Sequence, residues 1–306
     1  MMRVLVTGAN GQLGHDVVNE LIKRGHKVIA TDVTDSLEMA VDRYKRHYEF
    51  YPMNIVSSVV VDDTISKTRP DAIIHCAAWT AVDAAEEEEN KQKVYNINVV
   101  GTRNIAEAAK KYDCKVLYLS TDYVFNGKGE DPWDPDDKSY APLCYYGQTK
   151  LEGEFAIAEL KKFFIVRIAW VFGLNGKNFI KTMINVGRTH DEVRVVNDQI
   201  GTPTYTYDLS RLLVDMIEAD KYGYYHATNE GGYISWYEFC LEIYKQAGLK
   251  TRVIPVSTAD YGLSKAKRPF NSRLDKSKLS ENGFARLPDW KDALKRYLIE
   301  SGLKNV

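Results

Sequence analysis

Gly8-Ala-Asn-Gly11-Gln-Leu-Gly14 decides the fold, and it directly follows the apolar run 2–7. That run holds a short strand, and residues 12–23 carry Leu13, Val17, Val18, Leu21 and Ile22 on one helical face. A glycine at 8 permits the tight turn after the strand. One at 11 lets backbone approach a pyrophosphate, and one at 14 lets helix and strand pack closely. The helix N-terminus then faces the phosphates. The spacing is GxxGxxG, not the GxGxxG of simpler dehydrogenases, and any glycine-bearing strand-to-helix turn can produce it. Context narrows it: Gly25 suits the helix end, and Lys27-Val-Ile-Ala-Thr-Asp32 reads as a second strand ending in an acid. Asp32 is placed either to cap a turn or to accept hydrogen bonds from adenosine ribose hydroxyls. A carboxylate there repels a 2′-phosphate, so NADH is the expected cofactor and NADPH the less favoured one.

Outward from this unit, strand and helix signals alternate. Residues 64–67 read as helical and 72–78 as a strand. A long helix follows, with Glu86, Glu87, Glu88 and Glu89 near its start and Lys110 and Lys111 near its end, the charge order a helix dipole favours. The acidic run reads as a solvated helix start. Residues 115–120 and 163–169 are further buried strands. Strands separated by helices imply a parallel sheet covered on both faces. The expected class is α/β: a Rossmann-type, doubly wound parallel sheet with a smaller C-terminal α/β substrate-binding lobe. The expected division is 1–170 for the dinucleotide-binding domain, with return segments near 196–226, and 171–306 for the lobe interleaved with it. In that second part 208–219, 235–247 and 290–301 read as helices and 224–227 as a strand.

A second signature lies about one such domain downstream: Tyr146-Gly-Gln-Thr-Lys150, preceded by Ser120-Thr-Asp-Tyr123. On a helix, Tyr146 and Lys150 share a face and reach one ligand. A phenol normally loses its proton near pH 10, and a neighbouring ammonium favours the phenolate, making it a usable general acid–base. Lys150 is also placed to bond the nicotinamide ribose, and Thr121 to donate to the same substrate oxygen as Tyr146. YxxxK alone equally describes a surface tyrosine with a solvated lysine; its order after the glycine loop and Thr121 favours chemistry at a carbonyl or carbinol carbon. The loop 125–143, rich in Gly, Asp and Pro, separates the two halves of this set, and loops of that length are often functional.

Bulk properties agree with a soluble enzyme. The chain has 306 residues, 44% of them apolar and 27% charged, enough to bury a large core. A net charge of −1 argues against nucleic-acid or anionic-membrane partners. Cys76, Cys114, Cys144 and Cys240 have no CxxC spacing and no signal peptide precedes them, so they read as reduced thiols in a cytoplasmic protein. No apolar run approaches the ~20 residues that span a bilayer. The 20 tyrosines suit a site for polar, ring-shaped ligands.

These residues carry a family resemblance. The glycine loop, Ser/Thr and YxxxK resemble the extended short-chain dehydrogenase/reductases. More narrowly, the chain is similar to the dTDP-4-dehydrorhamnose reductases, which make dTDP-L-rhamnose for cell-surface polysaccharide. The resemblance runs through Thr7-Gly-Ala-Asn-Gly-Gln-Leu-Gly14, Ala77-Ala-Trp-Thr-Ala-Val-Asp83, Ser120-Thr-Asp-Tyr-Val-Phe125 and Tyr146-Gly-Gln-Thr-Lys150. It continues through Arg167-Ile-Ala-Trp-Val-Phe-Gly173, Asp198-Gln-Ile-Gly-Thr-Pro-Thr204 and Arg268-Pro-Phe-Asn-Ser272, and so covers almost the whole chain. It implies that Thr121, Tyr146 and Lys150 are catalytic, and that Gln12 and Leu13 line the cofactor loop with Ala77, Ala78 and Thr80 beside it. Asn98 matches a helix asparagine that organises the active site on the cofactor side. Val82, Tyr123 and Trp170 are implied contacts of the deoxysugar, with a core indole the plain alternative for Trp170. Arg268 and Asn271 are implied to meet the nucleotide-sugar or shape its pocket. The implied reaction is hydride addition at the sugar's C4 carbonyl with Tyr146 as general acid, Thr121 orienting the carbonyl and Trp170 with Val82 selecting the ring face.

Three departures stand out. Trp79 replaces a Tyr or His, and Asn54 sits where an aspartate commonly contacts adenine. Some relatives form magnesium-bridged homodimers; Asp16 is the one acid placed for this here, and no metal site is assigned on it. Three other functions share parts of the pattern. A nucleotide-sugar dehydratase needs an Asp-Glu pair where this chain has Asp122-Tyr123. An epimerase/reductase of the fucose type needs a Cys/His pair, and no Cys closely follows Ser120. The regulatory subunit of methionine adenosyltransferase binds NADP(H) without catalysis; the intact Thr121, Tyr146, Lys150 and Asp32 weigh against it.

Overall fold

The computed structural model describes residues 1–37 and 47–303. Strands β1 (Arg3–Thr7), β2 (Lys27–Asp32), β3 (Tyr48–Pro52), β4 (Ala72–His75), β5 (Lys115–Thr121), β6 (Phe163–Ile168) and a last one, Gly223–His226, form one parallel sheet. Its order is β3-β2-β1-β4-β5-β6 and then Gly223–His226. The order reverses between β1 and β4, and such a switch point opens a crevice at the carboxyl ends of the strands.

Period-two alternation assigns the two faces. Val4, Val6, Val28 and Ile74 pack on one side under α1 (Gln12–Lys23) and the helix Thr206–Ile217. Leu5, Ile29, Ile73 and Val116 pack on the other, under α2 (Ser58–Thr68), α4 (Thr102–Tyr112) and α5 (Tyr145–Ala158). The last third of the chain therefore contributes the helix Thr206–Ile217, the strand Gly223–His226 and the segment bearing Leu279, Phe284 and Leu287 to the first core. Its own core gathers Phe172, Tyr205, Phe239, Trp290 and Tyr297 among the helices Phe179–Gly187, Trp236–Ala247 and Trp290–Glu300. The parallel pair Glu192–Val196 and Arg252–Val256 lies beside them.

Several elements differ from the sequence expectation. β4 stops at His75, not at 78, because the chain leaves the ladder there to line the crevice, and Ala77 N–H donates to Thr7 Oγ1 instead. The edge strand β3 carries no clear apolar alternation and was not expected; every one of its residues keeps some exposure. The helix expected as 64–67 starts earlier, at Ser58, capped by Ser57. The expected long helix begins only at Glu88, after a separate short turn at Ala84–Glu86. It then runs as α3 (Glu88–Tyr95), a π-helical turn (Asn96–Gly101) and α4. Such turns concentrate at functional sites, and this one carries Asn98.

The loop 125–143 is moored at several points. The Phe125 ring stacks on Trp133 with centroids 4.5 Å apart. Asn271 Nδ2 donates to Asp131 O at 2.8 Å, and Arg167 Nη1 to Pro135 O at 3.1 Å.

Candidate active site

The crevice contains two adjoining cavities that share Gly8, Gly11, Cys76 and Ala78. One, of about 660 Å³, lies toward Asp32, Asn54 and Ala77. The other, of about 400 Å³, reaches from Gln12, Leu13 and Gly14 to Thr121, Tyr146 and Lys150. The backbone here leaves no room for side chains at two of the glycines. Gly8 has φ +65°, and a Cβ on it would press on the Ala77 backbone at 2.8 Å; a Cβ on Gly14 would collide with Gly8 O. Gly11 caps α1 with no side-chain acceptor, so the first N–H groups of the helix have no side-chain partner at the cap. Asp32 ends β2 at the cavity, its Oδ2 accepting from Asn10 N–H at 2.9 Å and its Oδ1 from Val33 N–H at 2.8 Å. Asn54 lines the same cavity, with Oδ1 accepting from Val56 N–H.

Beneath the glycine loop runs a buried chain whose protons can be ordered. Thr102 Oγ1 donates to Asn98 O at 2.7 Å, so it accepts from His75 Nε2–H at 3.1 Å. His75 Nδ1 is then the acceptor for Thr7 Oγ1 at 2.7 Å, and Thr7 accepts from Ala77 N–H. Burial, with Lys150 adding to it, pushes His75 down to about 3, which keeps the ring neutral as this order requires. Asn98 lies outside the linings of both cavities. Its Oδ1 accepts from Trp79 N–H at 2.8 Å and its Nδ2 donates to Thr149 Oγ1 at 3.0 Å. Thr149 in turn donates to Tyr146 O. Asn98 thus ties the Trp79 segment to the helix bearing Tyr146.

Tyr146 and Lys150 stand one turn apart on α5, both buried, with Thr121 at the end of β5 facing them. Burial raises the Tyr146 phenol well above its ordinary value, the Asp122 carboxylate adds to this, and a hydrogen bond with Thr121 opposes it. The expected lowering by Lys150 is not what dominates, because the ammonium is drawn away: Lys150 Nζ donates to Leu119 O at 2.7 Å and sits 4.1 Å above the Tyr118 ring. Burial pushes Lys150 down to about 7. Thr121 Oγ1 donates to Asp122 Oδ1 at 3.0 Å, so it must turn to serve a substrate oxygen. Asp122 is buried, bonded also by Ser272 Oγ, and burial pushes it up to about 6.

Val82, Tyr123 and Trp170 line the cavity wall beyond Tyr146, with Thr80 nearby. Tyr123 meets the Tyr146 ring edge-on at 5.6 Å and accepts from Arg268 Nη1 at 3.1 Å. Trp170, at φ +51°, stacks on Trp236 with centroids 3.8 Å apart. Trp236 borders a third cavity of about 330 Å³, also lined by Arg194, Gln199, Tyr261 and Arg268. Arg268 is on that wall, paired with Asp83. Asn271 lies outside all three linings, its side chain bonded to Lys128 O, Asp131 O and Arg273. Asp83, Arg194, Ser272 and Trp236 went unassigned from sequence, since no local spacing marks them. Asp16 is buried, taking a hydrogen bond from Thr206 Oγ1 on the neighbouring helix, so it is not presented to a second subunit. Among the described residues no three His, Cys, Asp or Glu side chains gather as a metal site.

The family model described as the RmlD substrate binding domain matches residues 2–302. The chain belongs to this family. It is 38% identical to the spore coat polysaccharide biosynthesis protein SpsK of Bacillus subtilis (strain 168), over 98% of both chains. It is 37% identical to a dTDP-4-dehydrorhamnose reductase of Aggregatibacter actinomycetemcomitans, over 96% of this chain and 98% of that one. The crystal structure of the Bacillus anthracis str. Ames dTDP-4-dehydrorhamnose reductase in complex with NADP is similar at a TM-score of 0.87 and 39% identity. That match covers 98% of this chain and 99% of the relative. The glycine loop, the Tyr146/Lys150 pair and the wall of Val82, Tyr123 and Trp170 all lie within the stretch the family model matches.

Proposed function

We propose that the chain reduces the C4 keto group of dTDP-4-dehydro-6-deoxy-L-mannose to give dTDP-L-rhamnose, with NAD(P)H as reductant. The observation that carries this reading is one cavity lined at once by the glycine loop and by Thr121, Tyr146, Lys150 and Trp170. The chemistry expected of the bound dinucleotide is hydride supply to the carbonyl carbon. Gly8, Gly11, Gln12, Leu13, Gly14 and Asp32 would hold it, with Ala77, Ala78 and Thr80 alongside. Tyr146 protonates the developing alkoxide, and a phenol whose proton is held by burial is in the form a reduction needs. Lys150, with one proton committed to Leu119 O, keeps two for the ribose and for the phenolate left behind. The third cavity, beyond the Trp170–Trp236 stack, offers two guanidinium groups and aromatic faces, which suits the nucleotide end of the substrate. Asp122-Tyr123 lacks the second carboxylate of an elimination, and Tyr123 is engaged by Arg268.

NADH oxidation with the dTDP sugar against UDP and GDP analogues tests the assignment; equal or better turnover of an analogue overturns it. No helix is long and apolar enough to cross a membrane among the described residues, and all four cysteines are free. A net charge of −1 and the absence of any CxxC spacing among four cysteines support our reading of a cytoplasmic enzyme without a nucleic-acid or anionic-membrane partner. The reading includes no metal-bridged homodimer through Asp16, which is buried against Thr206.

Two expected results follow from the walls of the site. Asp32 presents a carboxylate to the 660 Å³ cavity, where it would repel a 2′-phosphate. Its contribution to NADH preference should be about 1.5–3 kcal/mol, the range for a hydrogen bond to a charged group. Asp32→Ala should narrow the NADH/NADPH ratio of kcat/KM, and a wild-type preference for NADPH would show that this carboxylate does not govern the choice.

Trp170→Ala should raise KM for the nucleotide sugar and lower kcat, by up to about 10²-fold if the carbonyl is misplaced by about 1 Å. NADH affinity should hardly change. Normal kinetics with a lowered melting temperature would assign the indole to packing against Trp236 alone.

A further inference from the structure

We propose that Lys177 binds the dinucleotide's pyrophosphate, carried there by a segment of the second lobe that is docked on the glycine loop. The proposal rests on the dinucleotide reading of that loop. Between the strand Val171–Phe172 and the helix Phe179–Gly187 the chain folds back over residues 10–12. Asn175 Nδ2 donates to Asn10 O at 2.7 Å, and Asn178 Nδ2 donates to Gln12 Oε1 at 3.1 Å. At Gly173 there is no room for a side chain: an added Cβ would collide with Thr206 Oγ1 and lie 3.0 Å from Gln12 Cγ. Asn178 is itself fixed: it is buried, donates to Gly173 O at 2.9 Å and caps its helix through Lys181 N–H. The segment's place over the loop is therefore set from both ends.

Lys177 stands between these two anchors and lines the same cavity as Gly11, Gln12 and Leu13. The cations near it have protein partners. Lys150 is bonded to Leu119 O, and Lys181 to Leu174 O and Gly176 O. Lys177 is exposed and has no hydrogen bond or ion pair with a described residue. Among the described residues the one carboxylate on the cavity wall, Asp122, is already bonded by Thr121 and Ser272. A lysine without a partner among the described residues thus lines the same cavity as the N-terminus of α1, where the helix dipole and N–H groups without a side-chain cap attract the same anion. The chemistry recognised is a diphosphate, which both the dinucleotide and the nucleotide sugar carry. Proximity to the glycine loop favours the dinucleotide, since Arg194 and Arg268 serve the cavity beyond Trp236.

The test is a fluorescence titration of NADH into the full chain, with no sugar present, for wild type, Lys177→Met, Lys177→Arg and Asn175→Ala. Lys177→Met should weaken NADH about three- to tenfold, between the effect of an exposed ion pair and that of a charge-assisted hydrogen bond. The difference should shrink at high salt, where exposed charges are screened. Lys177→Arg should restore most of the affinity, and Asn175→Ala should weaken it by releasing the segment. Unchanged NADH affinity in Lys177→Met overturns the proposal. So does unchanged NADH affinity with a raised KM for the sugar, which would move the lysine to the sugar's diphosphate. Because the readout uses NADH alone, a chain that binds NADH through Lys177 but turns over no dTDP sugar would sink the reductase reading and leave this one standing.

Discussion

Tyr146→Phe should lower kcat by about 10²–10⁴-fold, the usual contribution of a positioned general acid, while NADH still binds. The substitution removes one hydroxyl and keeps the ring that packs edge-on against Tyr123. No neighbour is placed to take over. The Tyr123 hydroxyl accepts from Arg268, and the Lys150 ammonium is held at Leu119 O. Asp122 has both oxygens bonded, to Thr121 and Ser272. Steady-state turnover of the nucleotide sugar, beside an NADH titration, separates loss of the proton donor from loss of the cofactor site. Turnover near wild type would show that the proton comes from elsewhere.

Glu154→Gln should destabilise the fold by about 3–5 kcal/mol, the range for removing one partner of a buried ion pair. Glu154 and Arg167 are both fully buried and joined by two bonds of 2.8 Å, Nε to Oε1 and Nη2 to Oε2. Ser120 Oγ adds a third to Oε1. Glutamine leaves the Arg167 charge in the interior and turns an N–H₂ group toward it or toward Ser120. Arg167 also holds Pro135 O and the Tyr140 hydroxyl, so the 125–143 loop should loosen with it. Chemical denaturation should show a lower midpoint at an unchanged slope. A loss below about 1 kcal/mol, the upper end of the usual range for an exposed pair, would mean that the interior adapts to an unpaired guanidinium.

Local periodicity made much of this protein legible. Short apolar runs assigned β1, β2, β5 and β6, helical spacing assigned α1, and the glycines marked the turn between β1 and α1. The shared face of Tyr146 and Lys150 is a property of any helix with that spacing, so it needed no tertiary knowledge. What escaped the sequence depends on partners far along the chain. β4 ends early because Thr7 captures Ala77, 70 residues away in sequence. Asn271, expected near the sugar, is consumed by the 125–143 loop, and Asp16, weighed as a metal ligand, is buried against Thr206. Lys150 was expected to pull the Tyr146 phenol down; burial instead holds its proton on, because desolvation depends on the packed interior and not on spacing. The sequence alone determined β1, β2, β5, β6 and α1 and the residues they carry, since apolar runs and helical periods are set by backbone geometry within a few residues. Only the tertiary structure decided which polar groups are buried, which are already bonded and which still face the crevice, because hydrogen bonds and desolvation are settled by neighbours brought together from distant parts of the chain.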